Sequence, residues 1–231
     1  MRIQDALALA RPPIAVAFFD APPPGVGRWD GGAVPSGCTF WREAMKGKTF
    51  YTEAADHYNC AVGAYTHGIA LPSERAAELP DTVGFMVANG YIEMAEVPGI
   101  PVLDKGPACV AYAPADDAPF RPDVVLVAAR PASAMLLYEA AVRAGAANGL
   151  ANILGRPGCA VLPLASKSGA AVLSFGCQGN RTFTGLPDDE LYFAVPGARW
   201  EAVAECVGTM VAANRAMEQY YQGRLEQFPV L

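Results

Sequence analysis

Residues 122–145 read PDVVLVAARPASAMLLYEAAVRAG. Val124 to Ala128 is a short β-branched run flanked by Pro122 and Pro131, which predicts a strand. Ala132 to Ala144 follows with good helix formers and a stop at Gly145, which predicts a helix. Working outward, strands are expected at Ile14–Phe19, Phe50–Ala54 and Ala108–Ala113 upstream, and at Cys159–Leu164, Ala171–Phe175 and Leu191–Val195 downstream. Short helices are expected from a Ser36 cap through Lys46, at Ser73–Leu79 after Pro72, and at Thr82–Gly90. Asp56–Gly68 reads as a polar turn running into small residues, and the prolines of Ala21–Gly32 mark a loop. Trp200–Gln222 carries Trp200, Val203, Val207, Met210, Val211, Met217 and Tyr221 at helical spacing, which predicts a long amphipathic helix.

These pieces predict an α+β (mixed α/β) fold in a single domain, residues 1–231. A short self-similarity suggests two duplicated halves, about 1–115 and 116–231, sharing one core under the C-terminal helix. CAVGAYTHG begins at Cys60 and CAVLPLASKSG at Cys159, each after a strand and a helix, so Cys60 and Cys159 would be equivalent points.

Composition narrows the function classes. The chain has 231 residues, 52% of them hydrophobic and 17% charged, the opposite of a disordered balance. A net charge of −6 repels phosphate backbones and offers no polybasic run, so neither nucleic acid nor an anionic membrane surface is an expected partner. The apolar run Ala6–Ala10 is cut short by Arg11, Pro12 and Pro13, and no stretch is long and uncharged enough to span a bilayer. The expectation is a cytoplasmic protein whose six cysteines are reduced. Homo-oligomerisation stays open at this level.

No Walker loop, GxGxxG, HExxH, CxxC or GxSxG is present. The cysteines carry the signal. Cys38 follows Pro35-Ser36-Gly37 at a helix start, where the helix dipole favours a thiolate. Cys60 lies in a turn after His57, Cys159 follows Arg156-Pro157-Gly158, and Cys177 sits in the glycine-flanked GCQGNR. Four thiols in such turns can converge on an iron–sulfur cluster or a zinc ion, and their long, irregular spacings lean away from a zinc ribbon. The competing reading is that they are unliganded core thiols. Cys109, in an apolar strand, and Cys206, on the terminal helix, read as core.

Arg181, beside Asn180, could hold a carboxylate or phosphate, or could pair with Asp188, Asp189 or Glu190. His57 with Asp56 could form an acid–base pair, or could be a surface turn. Lys167-Ser168-Gly169 fits a hairpin turn better than a phosphate loop. Trp41, Phe50, Tyr51, Tyr58 and Tyr65 form an aromatic neighbourhood that fits core packing or the wall of a planar-ligand site.

In order along the chain, PIAVAFFD, Cys38 at its helix, Asp56–Gly68, PDVVLVAA, GCAVLPLA, GCQGNR and DDELYFAVPG resemble the bacterial and archaeal family called domain of unknown function 169. The resemblance implies no settled reaction. It points to Cys38, Cys60, Cys159, Cys177 and Arg181. The expected function is therefore a cytoplasmic iron–sulfur protein, redox-active or processing a small anion. Cys38, Cys60, Cys159 and Cys177 would be its ligands, and Arg181, His57 and Asn180 would tune the cluster or bind the anion. The alternatives are a zinc-stabilised structural module and a metal-free protein binding a small anion or planar cofactor.

Overall fold

A computed structural model describes residues 2–147 and 153–228. Helix α1 (Ile3–Ala6) precedes strand β1 (Ile14–Phe19). Helix α2 (Thr39–Met45) leads into β2 (Phe50–Glu53), and α3 (Ala61–Thr66) and α4 (Glu78–Ala88) come before β3 (Cys109–Pro114). Strand β4 (Val124–Ala129) and helix α5 (Pro131–Arg143) start the second part, followed by β5 (Ile153–Leu154), α6 (Val161–Ser168), β6 (Val172–Ser174), α7 (Gln178–Thr184), β7 (Leu191–Pro196) and α8 (Trp200–Gln227). The fold is α+β. Its seven strands lie in the order β2-β3-β1-β4-β7-β6-β5, antiparallel throughout except for the parallel β5–β6 edge.

Alternation along β4 explains why its sequence is apolar at every position. Val124, Leu126 and Ala128 pack with Phe40, Trp41 and Leu162 from α2 and α6. Val125, Val127 and Ala129 pack on the opposite face with Leu137 of α5 and Val203 and Val207 of α8. A strand covered on both sides has no solvent-facing register, so no polar residue interrupts it.

The sheet reads outward in the same way from its central β1–β4 pair. Ile14, which opens β1, pairs with Pro114, and Val124, which opens β4, pairs with Pro196. Phe50 of β2 pairs with Tyr112 and Val172 of β6 pairs with Ala194, each partner two residues before its proline. On this register α2 corresponds to α6 and α3 to α7. Gly37-Cys38 then matches Gly158-Cys159, and Cys60 matches Cys177. The equivalence of Cys60 with Cys159 expected from their shared CAV is not the one the topology gives.

Several local expectations are corrected. Cys159–Leu164 is not a strand: a 3-10 turn at Gly158–Ala160 runs into α6. An apolar run this short has no decisive period, and Pro163 is harmless in a helix's first turn, where the N–H it lacks would have no partner. The Lys167-Ser168-Gly169 segment is the end of that helix, with Gly169 left-handed at φ 64°, rather than a hairpin. Ser73–Leu79 and Thr82–Gly90 become a 3-10 turn at Ser73–Arg75 and the single helix α4, which carries Pro80 in its first turn. Asp56–Gly68 contains α3, and GCQGNR is the start of α7 rather than a loop. The apolar stripe of α8 is buried only at Val203, Val207 and Met210, whereas Met217 and Tyr221 are 45% and 58% exposed.

Candidate functional site

Each of the four cysteines from the turns lies at the start of a helix. Cys60 is the N-cap of α3 and its Sγ accepts the Gly63 N–H at 3.3 Å. Cys177 is the N-cap of α7 and its Sγ accepts the Asn180 N–H at 3.4 Å. Cys38 precedes α2, and Cys159 lies in the turn that opens α6. Ser36 does not cap α2. Its hydroxyl stands 3.1 Å from Cys38 Sγ and 3.4 Å from Cys60 Sγ, so one side chain bridges two thiols.

All four cysteines line one cavity of about 630 Å³. Its floor comes from the starts of α2, α3, α6 and α7. Its outer wall is α4 and the segment running to Ile100, with Leu79, Val83, Met86, Ile92, Val97 and Ile100 turned to it. The floor electrostatics differ from the helix-dipole expectation for Cys38. Burial pushes its thiol up to about 11, ahead of the opposing Ser36 hydrogen bond, and neighbouring Cys60 adds to the rise. Burial also holds the Cys159 thiol well above its ordinary value, helped by Cys60, Cys177 and Cys38 around it. Both sulfurs are therefore protonated at neutral pH while no cation is bound to them. Among the described residues, no three His, Cys, Asp or Glu side chains already stand close enough to hold a single ion.

His67 and Asn180 also line the cavity. His67 Nδ1 donates to the Gly63 carbonyl at 2.8 Å, which leaves Nε2 as a lone pair, and this nitrogen has no partner among the described residues. Burial lowers the His67 pKa, so the ring is neutral. Asn180 is buried with both amide atoms unpartnered. Unsatisfied buried polar atoms are costly, and here they cluster beside the thiols.

A model of the family DUF169, described as uncharacterised ArCR, matches residues 2–206. The chain belongs to the DUF169 family. No curated protein and no solved structure matches it. The DUF169 match takes in every residue of the cavity and stops within α8.

The other expected site residues fall elsewhere. The Arg181 guanidinium donates to the carbonyls of Pro187 and Phe175, both at 2.6 Å, and of Glu190 at 3.1 Å. It fastens the connection between α7 and β7, and it offers nothing to the cavity. His57 lies behind the cavity, fully buried, with Nε2 2.8 Å from the Thr52 hydroxyl and its ring 5.7 Å from that of His67. Asp56 accepts from the Glu53 N–H and pairs with Arg28, so it does not form an acid–base pair with His57. Trp41 and Phe50 are core, while Tyr65 joins the cavity wall. Cys109 and Cys206 lie outside it, Cys109 buried in β3 and Cys206 half-buried on α8. Ser36, His67, Tyr91 and Arg156 belong to the cavity without carrying a functional motif in the sequence, where Ser36 reads as a helix cap and Arg156 only as a neighbour of Cys159.

Proposed function

We propose that this protein holds an iron–sulfur cluster in the cavity, ligated by Cys38, Cys60, Cys159 and Cys177. The observation that carries the reading is their convergence: four thiols from four separate helix starts line one largely apolar cavity. Tetrahedral zinc needs its donors at about 2.3 Å from one point, whereas a cluster is several atoms across and takes thiolates from a wider span, so metal and sulfide analysis separates the two. The Gly63 and Asn180 N–H groups already point at sulfur, and such hydrogen bonds favour thiolate and raise a cluster's potential.

The residues fit the group in a second way. His67 Nε2 and the Asn180 amide are unspent polar atoms beside the thiols, suited to tuning the cluster or to meeting a small molecule next to it. With all four cysteines bound, the cluster would supply one-electron chemistry. The chain's own residues would hold it, shield it and leave adjoining space. The reading also places the protein in the cytoplasm, where thiols stay reduced. It involves neither nucleic acid nor membrane.

Anaerobic purification followed by iron and acid-labile sulfide assay tests the proposal. Iron and sulfide in equal amounts are expected, with each Cys→Ser variant at the four positions losing most of both. Zinc without sulfide would select a structural module instead. Colourless protein that gains no iron on anaerobic reconstitution would leave the cavity as a metal-free ligand site.

A further inference from the structure

The cavity walls are apolar, yet one full charge lines them. Among the described lining residues, Arg156 is the only Asp, Glu, Lys or Arg. It makes no ion pair and no side-chain hydrogen bond among the described residues, although acidic groups outnumber basic ones in the chain. Its guanidinium lies over the Tyr91 ring, 4.6 Å from the centroid. Tyr91 is fixed in turn, because its hydroxyl accepts the Gln178 N–H at 2.9 Å, next to Cys177. Arg156 is solvent-exposed, so the stacked cation stands at the rim of the cavity, held against Tyr91 and with its donor fork unspent.

A space of about 630 Å³ is the size of a small-molecule site and exceeds what a cluster's ligands alone require. Apolar walls, no acidic residue among the described lining, and one guanidinium stacked at the rim favour one ligand chemistry. We infer that the cavity binds an apolar monocarboxylate, its carboxylate paired with Arg156 and its hydrocarbon body against Val83, Met86, Ile92 and Ile100. The inference rests on the cavity being the functional site, as the cluster reading does. It does not require the cluster to be present.

The test is calorimetric titration with 1-naphthoate and its neutral isostere 1-naphthamide, on protein as purified and again after anaerobic reconstitution. Naphthoate is expected to bind at least tenfold more tightly than naphthamide. Arg156→Gln should remove that preference, and Arg156→Lys should keep part of it. Cys60→Ser should lose iron yet still bind naphthoate, so failure of the cluster and failure of the carboxylate site read out separately. Three results would overturn the inference: equal affinity for the two probes, no binding of either, or unchanged naphthoate affinity in an Arg156→Gln variant that melts like wild type. Arg156→Lys binding as poorly as Arg156→Gln, with wild-type melting, would also count against it.

Discussion

His57 and His67 lie with their rings near one another, and burial keeps both neutral. The His57 pKa is lowered to about 3, first by burial and then by His67, and that of His67 is lowered by burial. An unfolded histidine titrates near 6.5, so below that pH the unfolded chain takes up protons that the folded chain refuses. The stability these residues contribute is therefore complete above about pH 6.5 and is lost as pH falls toward 3, by up to about 1.4 kcal/mol per pH unit for each proton. Glu43 works lower down: burial would raise it, but Lys46 and Lys48 hold it at about 2, so its contribution fades only below 4.5. Denaturant melts of metal-free protein should show stability falling between pH 6.5 and 4.5, and His57→Gln should flatten that fall. An unchanged slope in the variant would mean His57 is not held neutral. At this scale the sequence is a partial guide. The glycines and prolines around Cys38, Cys159 and Cys177 mark them as turn residues, because those residue types fix backbone shape locally. Arg181 misleads because carbonyls of its own loop take its donors, and Arg156 is silent because its platform, Tyr91, is far away in sequence.

Helices α4 and α8 are the elements least committed to the core. None of the α4 residues is fully buried, and Phe85 is 71% exposed, so α4 covers the cavity without being anchored as deeply as α2 or α6. In α8, burial ends at Met210, and Met217, Tyr220, Tyr221 and Leu225 are all exposed beyond it. A chain stopped after Arg215 should keep its fold, since none of the described residues it loses is buried. Its melting temperature should stay within about 2 °C of the full chain's, as for other surface changes. A large drop, or loss of cooperative melting, would show that the exposed half of the helix stabilises the fold. The element inventory was legible wherever a period or a stop residue decided it, as in β4, α5, β7 and the start of α8. It failed at α6, where VLPLA suits a strand or a buried helix equally, and at α7, where the glycines of GCQGNR hid a helix start.

For the whole molecule, the strand register repeats across the sheet, and it matches different cysteines from those the sequence paired. Matching Cys38 to Cys159 and Cys60 to Cys177 puts two thiols from each half on the floor of one cavity. The like register on either side of the β1–β4 seam gives a simple reason for four cysteines to line one cavity although the chain separates them widely. That meeting could not be read from spacing, because it depends on strand order. Belonging to the DUF169 family adds no reaction, so the site chemistry carries the functional claim. The most direct test is X-ray diffraction at the iron absorption edge from crystals of anaerobically reconstituted protein. The account predicts one compact anomalous peak per chain inside the cavity, enclosed by the sulfurs of Cys38, Cys60, Cys159 and Cys177. An iron peak anywhere else, or four free thiols with no peak among them, would contradict it.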